Sequence, residues 1–154
     1  MAEIWFYQLE RTGLEETLPG LLEKTLEKGW RAVVRAGSDA RIDALDGRLW
    51  TYKDESFLAH GRSGRAHPED QPIYLTTGTE NPNGAQALIV VDGAEFSELS
   101  SGKTDAYERT MILFSGKDAE ALNQARAMWK EAKDKGLNIS YWEQTASGGW
   151  EKRA

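Results

Sequence analysis

The chain alternates between short, unbroken apolar runs and longer stretches in which apolar residues recur every three or four positions. The short runs are rich in aromatic and β-branched side chains, which predicts strands. They lie at residues 4–9 (IWFYQL), 30–36 (WRAVVRA), 72–77 (PIYLTT), 87–91 (ALIVV), 110–114 (TMILF) and 139–143 (ISYWE).

The recurring stretches predict three amphipathic helices. The first carries its apolar stripe on Leu18, Leu21, Leu22 and Leu26. Thr17 is its expected cap, Pro19 suits its first turn, and Gly29 is its expected end.

The second helix is expected to begin after Ser38 as its cap, with Ile42, Leu45 and Leu49 buried. The third covers residues 118–135, buries Leu122, Ala125, Trp129 and Ala132, and stops at Gly136. Residues 53–71 form the longest irregular stretch, and a Gly-rich tail follows the last strand.

The element order β-α-β-α-β-β-β-α-β predicts a layered α/β domain with a largely parallel, buried sheet. The apolar runs at 88–91 and 111–114 suit central strands covered on both faces. No linker is long enough to divide the 154 residues, so one domain spanning residues 1–154 is expected.

Composition narrows the function classes. The chain has no cysteine, which excludes disulfides and thiol chemistry and fits a reducing cytoplasm. Its N-terminal apolar stretch is too short for a signal peptide and no run reaches the roughly 18 apolar residues of a membrane span, so a cytoplasmic protein is expected. A net charge of -6 repels phosphate backbones, and DNA contact is expected to be indirect.

A nucleotide-dependent enzyme is the main alternative for such a fold, because Ser101-Gly102-Lys103-Thr104 resembles the end of a phosphate-binding loop. The full motif needs a glycine where Ser97 stands, and a strand before it and a helix after it. The turn after the first strand has only Gly13 where a dinucleotide fingerprint needs three glycines. An exposed polar loop is the preferred interpretation of residues 101–104.

No catalytic centre or metal site is predicted, and no cofactor. The only histidines, His60 and His67, lie in the polar stretch, where Glu69 and Asp70 are nearby but lack a characteristic zinc spacing. Neither histidine is placed for a hydrolase triad, so both are interpreted as surface residues.

Two groups of residues suit binding to a protein. On the third helix, Arg126, Lys130 and Lys133 flank the apolar stripe at one edge, with Trp129 at the boundary. One interpretation is a core tryptophan beside a solvated cationic face. The other is a pocket for an acidic ligand with one apolar anchor.

The second group is Leu49 and Trp50 together with residues 56–60, where the apolar Phe57 and Leu58 interrupt the polar stretch and His60 follows. Such side chains either anchor a loop to the core or form a partner interface.

Several segments, in order, resemble the chi subunit family of DNA polymerase III. They are residues 6–9 (FYQL), 21–34 (LLEKTLEKGWRAVV), 44–52 (ALDGRLWTY), 54–61 (DESFLAHG), 72–89 (PIYLTTGTENPNGAQALI), 125–136 (ARAMWKEAKDKG) and 141–144 (YWEQ). The likeness covers essentially the whole chain. It implies a single three-layer Rossmann-like α/β domain without a functional nucleotide site.

The resemblance also implies partners. Members of this family bind the acidic C-terminal tail of single-stranded-DNA-binding protein, which ends in Pro-Phe with a free carboxylate. They also bind a small subunit called psi, which connects them to the clamp loader, and some engage an accessory helicase through the psi surface.

The family's tail pocket matches Arg126, Trp129 and Lys130 here, with Lys133 beside them and Phe114 or Ser115 expected on the pocket floor. The aromatic is usually tyrosine, so Trp129 is a departure that keeps the ring and lacks the hydroxyl. The family's psi surface matches Trp50 and Phe57, with His60 nearby, and psi or another protein is expected to dock there.

Overall fold

The computed structural model describes residues 2–51, 61–62, 64, 67–147 and 149–153, leaving out the side chains of Trp50, Thr51 and Thr104. Within these residues the strands are β1 Glu3–Leu9, β2 Ala32–Arg35, β3 Gly61–Arg62, β4 Ile73–Thr76, β5 Ala87–Val90, β6 Arg109–Ser115, β7 Asn138–Gln144 and β8 Trp150–Lys152. The helices are α1 Leu14–Glu27, α2 Asp39–Thr51, α3 Ser97–Ser101 and α4 Ala119–Asp134. Short 3₁₀ turns lie at Pro68–Asp70 and Thr104–Ala106.

The strands form one sheet in the order β3-β4-β2-β5-β6-β1-β7-β8. Strands β1 to β7 pair in parallel with their neighbours, while β8 is antiparallel to β7. The predicted α/β fold with a largely parallel sheet is confirmed. The six predicted strands are all present, whereas β3, α3 and β8 were not predicted from the sequence.

Helix boundaries were predicted unevenly. Ser38 caps α2, because its Oγ accepts the N–H of Arg41 at 3.2 Å. The bounds predicted for the third helix match α4, which is followed by Gly136 in a left-handed conformation, φ 70°.

The predicted start of α1 at Thr17 was wrong, because the helix begins at Leu14 after an extended Gly13. The hydroxyl of Thr17 donates to the Gly13 carbonyl at 3.0 Å inside the first turn. Pro19 therefore lies inside the helix, where it has no N–H for the carbonyl of Glu15. Arg48 of α2 donates its Nε–H to that carbonyl at 3.0 Å, which explains how the longer helix accommodates the proline.

Apolar residues on the two sides of the sheet form two separate cores. On one side, Leu18 and Leu22 of α1 and Ile42 and Leu45 of α2 pack against the sheet. On the other side, the core includes Leu99 of α3 and residues of α4. Together with the sheet these helices form the three layers of the expected domain.

The sheet changes its direction of winding between β6 and β1. These strands are neighbours, but α4 follows β6 on one face and α1 follows β1 on the other. Their carboxyl ends therefore open into a crevice of about 670 Å³, which is the position where open α/β sheets usually bind ligands.

Candidate functional site

Helix α4 carries most of the residues proposed for tail binding, and its own sequence fixes where it starts and which face is buried. Asp118 is the N-cap, with its Oδ1 accepting the N–H groups of Glu120 and Ala121 at 3.0 and 3.3 Å. Ala125 and Ala132 are 1% and 0% exposed, so small side chains let the helix lie close to the sheet.

Arg126, Lys130 and Lys133 project from α4 into solvent at offsets of four and seven, and therefore share one side of the helix. We call them the cationic ridge. In the part of the chain that the structure describes, none of the three has a carboxylate partner. By contrast, Lys135 at the helix end pairs with Glu131 at 3.1 Å. The ridge is therefore available for a negatively charged ligand.

Trp129 lies beside the ridge and is half-buried, as the sequence predicted for a boundary residue. Its ring meets those of Phe6 and Tyr141 edge-on, with centroids 5.6 Å away in each case. Phe6 is fully buried on β1, whereas Tyr141 on β7 is half-buried. Trp129 is thus both a core contact and part of the surface, so the two interpretations of the helix are compatible.

Phe114 is placed behind Tyr141 rather than at the surface. It is 8% exposed, and its ring lies 6.0 Å from that of Tyr141 in an edge-on contact. It also lines the crevice between β6 and β1. Phe114 therefore supports the aromatic wall beside the ridge, while Trp129 and Tyr141 form its accessible part.

Tyr141 is a residue of this surface that was not singled out from the sequence. Burial raises the pKa of its hydroxyl, nearby Arg126 opposes this rise, and Glu143 and Glu10 add to it. The hydroxyl donates to Gln8 Oε1. The available signal was the period-two alternation along β7, which places Tyr141 on the α4 face and Trp142 on the opposite face.

The charges around Tyr141 are unevenly distributed over this surface. Arg126 lies on the α4 side, whereas Glu10 and Glu143 lie toward the ends of β1 and β7. Glu143 is paired with Arg153 at 2.9 Å. An acidic ligand is expected to place its carboxylates along the ridge and away from these two glutamates.

The second predicted surface falls mostly outside the described residues. The backbone of Trp50 belongs to the last turn of α2, next to the buried Leu49, but the side chain of Trp50 is not described. Phe57 and His60 lie outside the described ranges.

The charged side chains that line the crevice between β6 and β1 are mostly acidic and therefore unsuited to a phosphate. Glu15, Glu16, Asp92, Asp118 and Glu120 line it together with Arg41. Arg41 is paired with Glu15 at 3.3 Å and with Asp92 at 3.5 Å, so its charge is already balanced. This arrangement disfavours the nucleotide-dependent alternative, since the local field repels phosphate.

The backbone N–H groups of the turn after β1 are already hydrogen-bonded within the chain. In dinucleotide-binding folds the backbone N–H groups of this turn and of the following helix hold the phosphates. Here the N–H groups of Glu10, Arg11 and Thr12 all donate to Gln144 Oε1, at 3.1, 2.7 and 3.1 Å. The buried amide of Gln144 stands where an anion would otherwise accept these bonds.

The segment that resembles a phosphate-binding loop lies at the end of a short helix. Ser101 is the last residue of α3, Gly102 is left-handed with φ 77°, and both are exposed together with Lys103. The predicted exposed polar loop is confirmed for Gly102 and Lys103, whereas Ser101 is exposed but belongs to α3.

His67 is exposed, as predicted. Its Nδ1 lies 3.8 Å from Glu69 and 4.0 Å from Asp70, both also exposed. His60 is outside the described residues.

Within the described ranges, no helix is both long and apolar enough to cross a membrane.

Comparison with known proteins places this geometry in context. A family model described as DNA polymerase III chi subunit, HolC, matches residues 1–140. A "Probable DNA polymerase III subunit chi" from Rickettsia prowazekii is 29% identical over 95 residues, which cover 60% of this chain and 58% of the relative.

Two further relatives are described as "DNA polymerase III subunit chi". The one from Haemophilus influenzae is 27% identical over 128 residues, covering 82% of this chain and 85% of the relative. The one from Pseudomonas aeruginosa is 29% identical over 70 residues, covering 46% and 47% of the two chains.

Proposed function

The chain belongs to the family of DNA polymerase III chi subunits, and on that premise we propose that it is an accessory subunit that binds the acidic tail of single-stranded-DNA-binding protein and links that protein to the clamp-loader complex. The role is one of binding and needs no chemistry by this chain. We propose that it operates in the bacterial cytoplasm at the replisome.

The observation that carries this proposal is the cationic ridge beside half-buried aromatic rings. The chain has 25 acidic and 19 basic residues, yet the ridge gathers three of its cations on one side of α4. A tail that combines carboxylates with a terminal phenylalanine is complementary to both parts of this surface.

In the proposed complex the tail carboxylates pair with Arg126, Lys130 and Lys133. The terminal phenylalanine packs against the accessible edges of Trp129 and Tyr141, and its free carboxylate meets a ridge cation. Short-peptide contacts of this kind give affinities on the order of micromolar, about -8 kcal/mol. Salt weakens them because the ion pairs are exposed.

A weak single contact suits this role, because single-stranded-DNA-binding protein presents several tails when it coats a strand. Effective concentration then raises the operative affinity without any new contact. The connection can release and rebind while the polymerase moves.

The test is fluorescence anisotropy of a labelled acidic peptide that ends in Pro-Phe with a free C-terminus. Arg126→Ala and Lys130→Ala should each weaken binding by about tenfold or more, the loss expected for a charged hydrogen-bonding partner. Lys24→Ala and Lys28→Ala are the matched controls, since Lys24 on α1 and Lys28 at its C-cap are both exposed, across the sheet from α4. Wild-type affinity in both ridge variants would reject the assignment of the ridge.

We also propose that Trp50, Phe57 and His60 belong to a second docking surface for psi, an accessory helicase or another protein. Phe57→Ala should leave peptide binding unchanged and remove a different partner in co-purification. If all partners are retained, Phe57 only anchors its own loop.

A further inference from the structure

The face of the sheet covered by α1 carries a second surface that the tail-binding role does not use. Here a cavity of about 240 Å³ lies between the C-terminal half of α1 and strands β6, β1, β7 and β8. We call it the aromatic groove, and define it by the aromatic side chains Trp5, Tyr7, Trp142 and Trp150. It lies across the sheet from the cationic ridge.

The strand pattern gathers these rings. Trp5 and Tyr7 are two residues apart on β1 and therefore point to the same face, and Tyr7 is in register with Trp142 of β7. The rings of Trp5 and Trp142 are 5.6 Å apart, and those of Tyr7 and Trp150 are 5.0 Å apart. The three indoles are only half-buried, so part of each ring remains accessible.

Cations surround the aromatic groove. Lys24 on α1 and Lys28, the C-cap residue of that helix, are exposed and have no carboxylate partner among the residues that the structure describes. Arg109 lies with its guanidinium carbon 3.8 Å from the centre of the Trp5 ring and pairs with Glu3 at 3.0 Å. In a chain with net charge -6, this local excess of cations is complementary to an anion.

Trp142 adds a hydrogen-bond donor. Its Nε1 is buried and has no acceptor in the described part of the chain. Buried N–H groups are nearly always paired, so a ligand bringing an oxygen or ring nitrogen close to this indole would satisfy it.

We propose that the aromatic groove binds single-stranded nucleic acid, with one base stacked against the indoles and its flanking phosphates beside Lys24 and Lys28. Stacking on aromatic side chains next to a cationic track is the general mode of single-strand binding. The groove is smaller than the roughly 300–1,000 Å³ of pockets for drug-sized ligands, so it suits one base rather than a dinucleotide.

A base also fits the donor better than a peptide aromatic does. Its ring carries nitrogen and oxygen acceptors for Trp142, whereas a phenylalanine ring has none and a peptide would have to supply a carbonyl or carboxylate instead. The proposal concerns DNA contact by the chain itself and does not depend on tail binding at the ridge. It differs from the expectation, drawn from net charge, that DNA contact is only indirect.

The test is a titration of labelled oligothymidylate with the full chain at low salt, following anisotropy and tryptophan fluorescence. Saturable binding with quenched tryptophan emission is expected. The double variant Lys24→Glu/Lys28→Glu should weaken binding by about tenfold or more. It should also reduce the slope of the logarithm of the binding constant against the logarithm of the salt concentration, since each phosphate contact contributes about -0.7 to that slope. Trp142→Phe, which keeps a ring but removes the donor, should weaken binding several-fold.

The charge-matched control is Arg126→Glu/Lys130→Glu on the other face, which should bind oligothymidylate as the wild type does. Equal losses in the two double variants, or no measurable binding by the wild type, would overturn the proposal. Thermal melts of each variant establish that the fold is retained, and the two surface double variants are not expected to unfold the chain.

Two other occupants give different results. If the acidic peptide ending in phenylalanine displaces the oligonucleotide, and its own binding is lost in Lys24→Glu/Lys28→Glu, the groove is a peptide site. If sedimentation detects a dimer that this variant dissociates, the occupant is a second copy of the chain. Either result would contradict nucleic-acid binding.

Discussion

At the carboxyl end of β2, the guanidinium of Arg35 is 1% exposed and donates to both carboxylate oxygens of Glu98, each at 2.8 Å. Two further N–H groups donate to the carbonyls of Gly78 at 2.8 Å and Glu95 at 3.1 Å. The sequence indicated a strand here but not a buried charge, because the partner is 63 residues away. Such a charge is tolerated only when it is paired and fully hydrogen-bonded.

This pair should make stability depend on acid pH. Burial acts to raise the pKa of Glu98, but the hydrogen bonds from Arg35 and from the backbone, together with the charge of Arg35, outweigh it and hold the pKa below its usual value. The contribution to stability is therefore complete above the unfolded pKa of about 4.3 and is lost as pH falls through the lower folded value. Urea unfolding of the wild type and of Glu98→Gln across this range should give a shallower pH dependence in the variant. Equal slopes would contradict the role of the pair.

Trp129 packs against the core and is also part of the proposed tail-binding surface. Trp129→Tyr keeps a ring beside Phe6 and Tyr141, and tail affinity should stay within a few-fold of the wild type. Trp129→Ala should lower affinity by about tenfold to a hundredfold, as for an aromatic hot spot. Peptide anisotropy measures the affinities, and thermal melts separate them from loss of fold. Unchanged affinity in Trp129→Ala would limit this residue to the core.

Among the elements, α4 was predicted well because its signals are local. The apolar stripe and Gly136 lie within one continuous segment, and the ridge cations follow from the same periodicity. The part that was missed, Tyr141, comes from another element, and its proximity to Trp129 depends on the parallel pairing of β1 and β7.

The cap of α4 gives a direct test at this scale. Asp118→Ala removes the acceptor of two backbone N–H groups and should lower the free energy of unfolding by about 1 kcal/mol, whereas Asp118→Asn should lose less. Chemical denaturation measures both. Since the ridge begins two turns further along, peptide affinity should change little in either variant. No loss of stability in Asp118→Ala would mean that solvent replaces the cap without cost.

The short elements β3 and β8 could not be predicted from local pattern. β8 has three residues after a Gly-rich stretch, and it exists through antiparallel pairing with β7 and the contact of Trp150 with Tyr7. The start of α1 was misplaced for a similar reason, since Arg48 of another helix supplies the donor that makes Pro19 tolerable there.

For the whole molecule, the order of strands and helices was enough to predict the α/β class, because apolar runs and helical stripes are clear along the chain. Net charge was a weaker guide. It describes the average field, while the cationic ridge and the aromatic groove are local exceptions on opposite faces of the sheet. The charge of the crevice likewise depends on side chains brought together from α1, α4 and the segment after β5.

From the acidic crevice we also predict that nucleotides do not stabilise the protein. Addition of ATP, GTP or NAD should leave the melting temperature unchanged, because a ligand stabilises a protein only if it binds the folded state. The acidic walls and the Gln144 side chain disfavour such binding. A thermal-shift screen measures this, and a clear, saturable rise with any of these nucleotides would revive the enzyme alternative.

The proposed function requires that the chain recognise the tail of single-stranded-DNA-binding protein through α4. The most direct measurement is capture of the chain, by surface plasmon resonance, on immobilised single-stranded DNA coated with that protein in intact or tail-deleted form. Using Lys24→Glu/Lys28→Glu as a second analyte removes any contribution of the aromatic groove. We expect the chain to be captured on DNA coated with the intact protein. Capture should be lost on DNA coated with the tail-deleted protein, and when the analyte is Arg126→Ala/Lys130→Ala. Equal capture by the intact and tail-deleted proteins would contradict the proposed function.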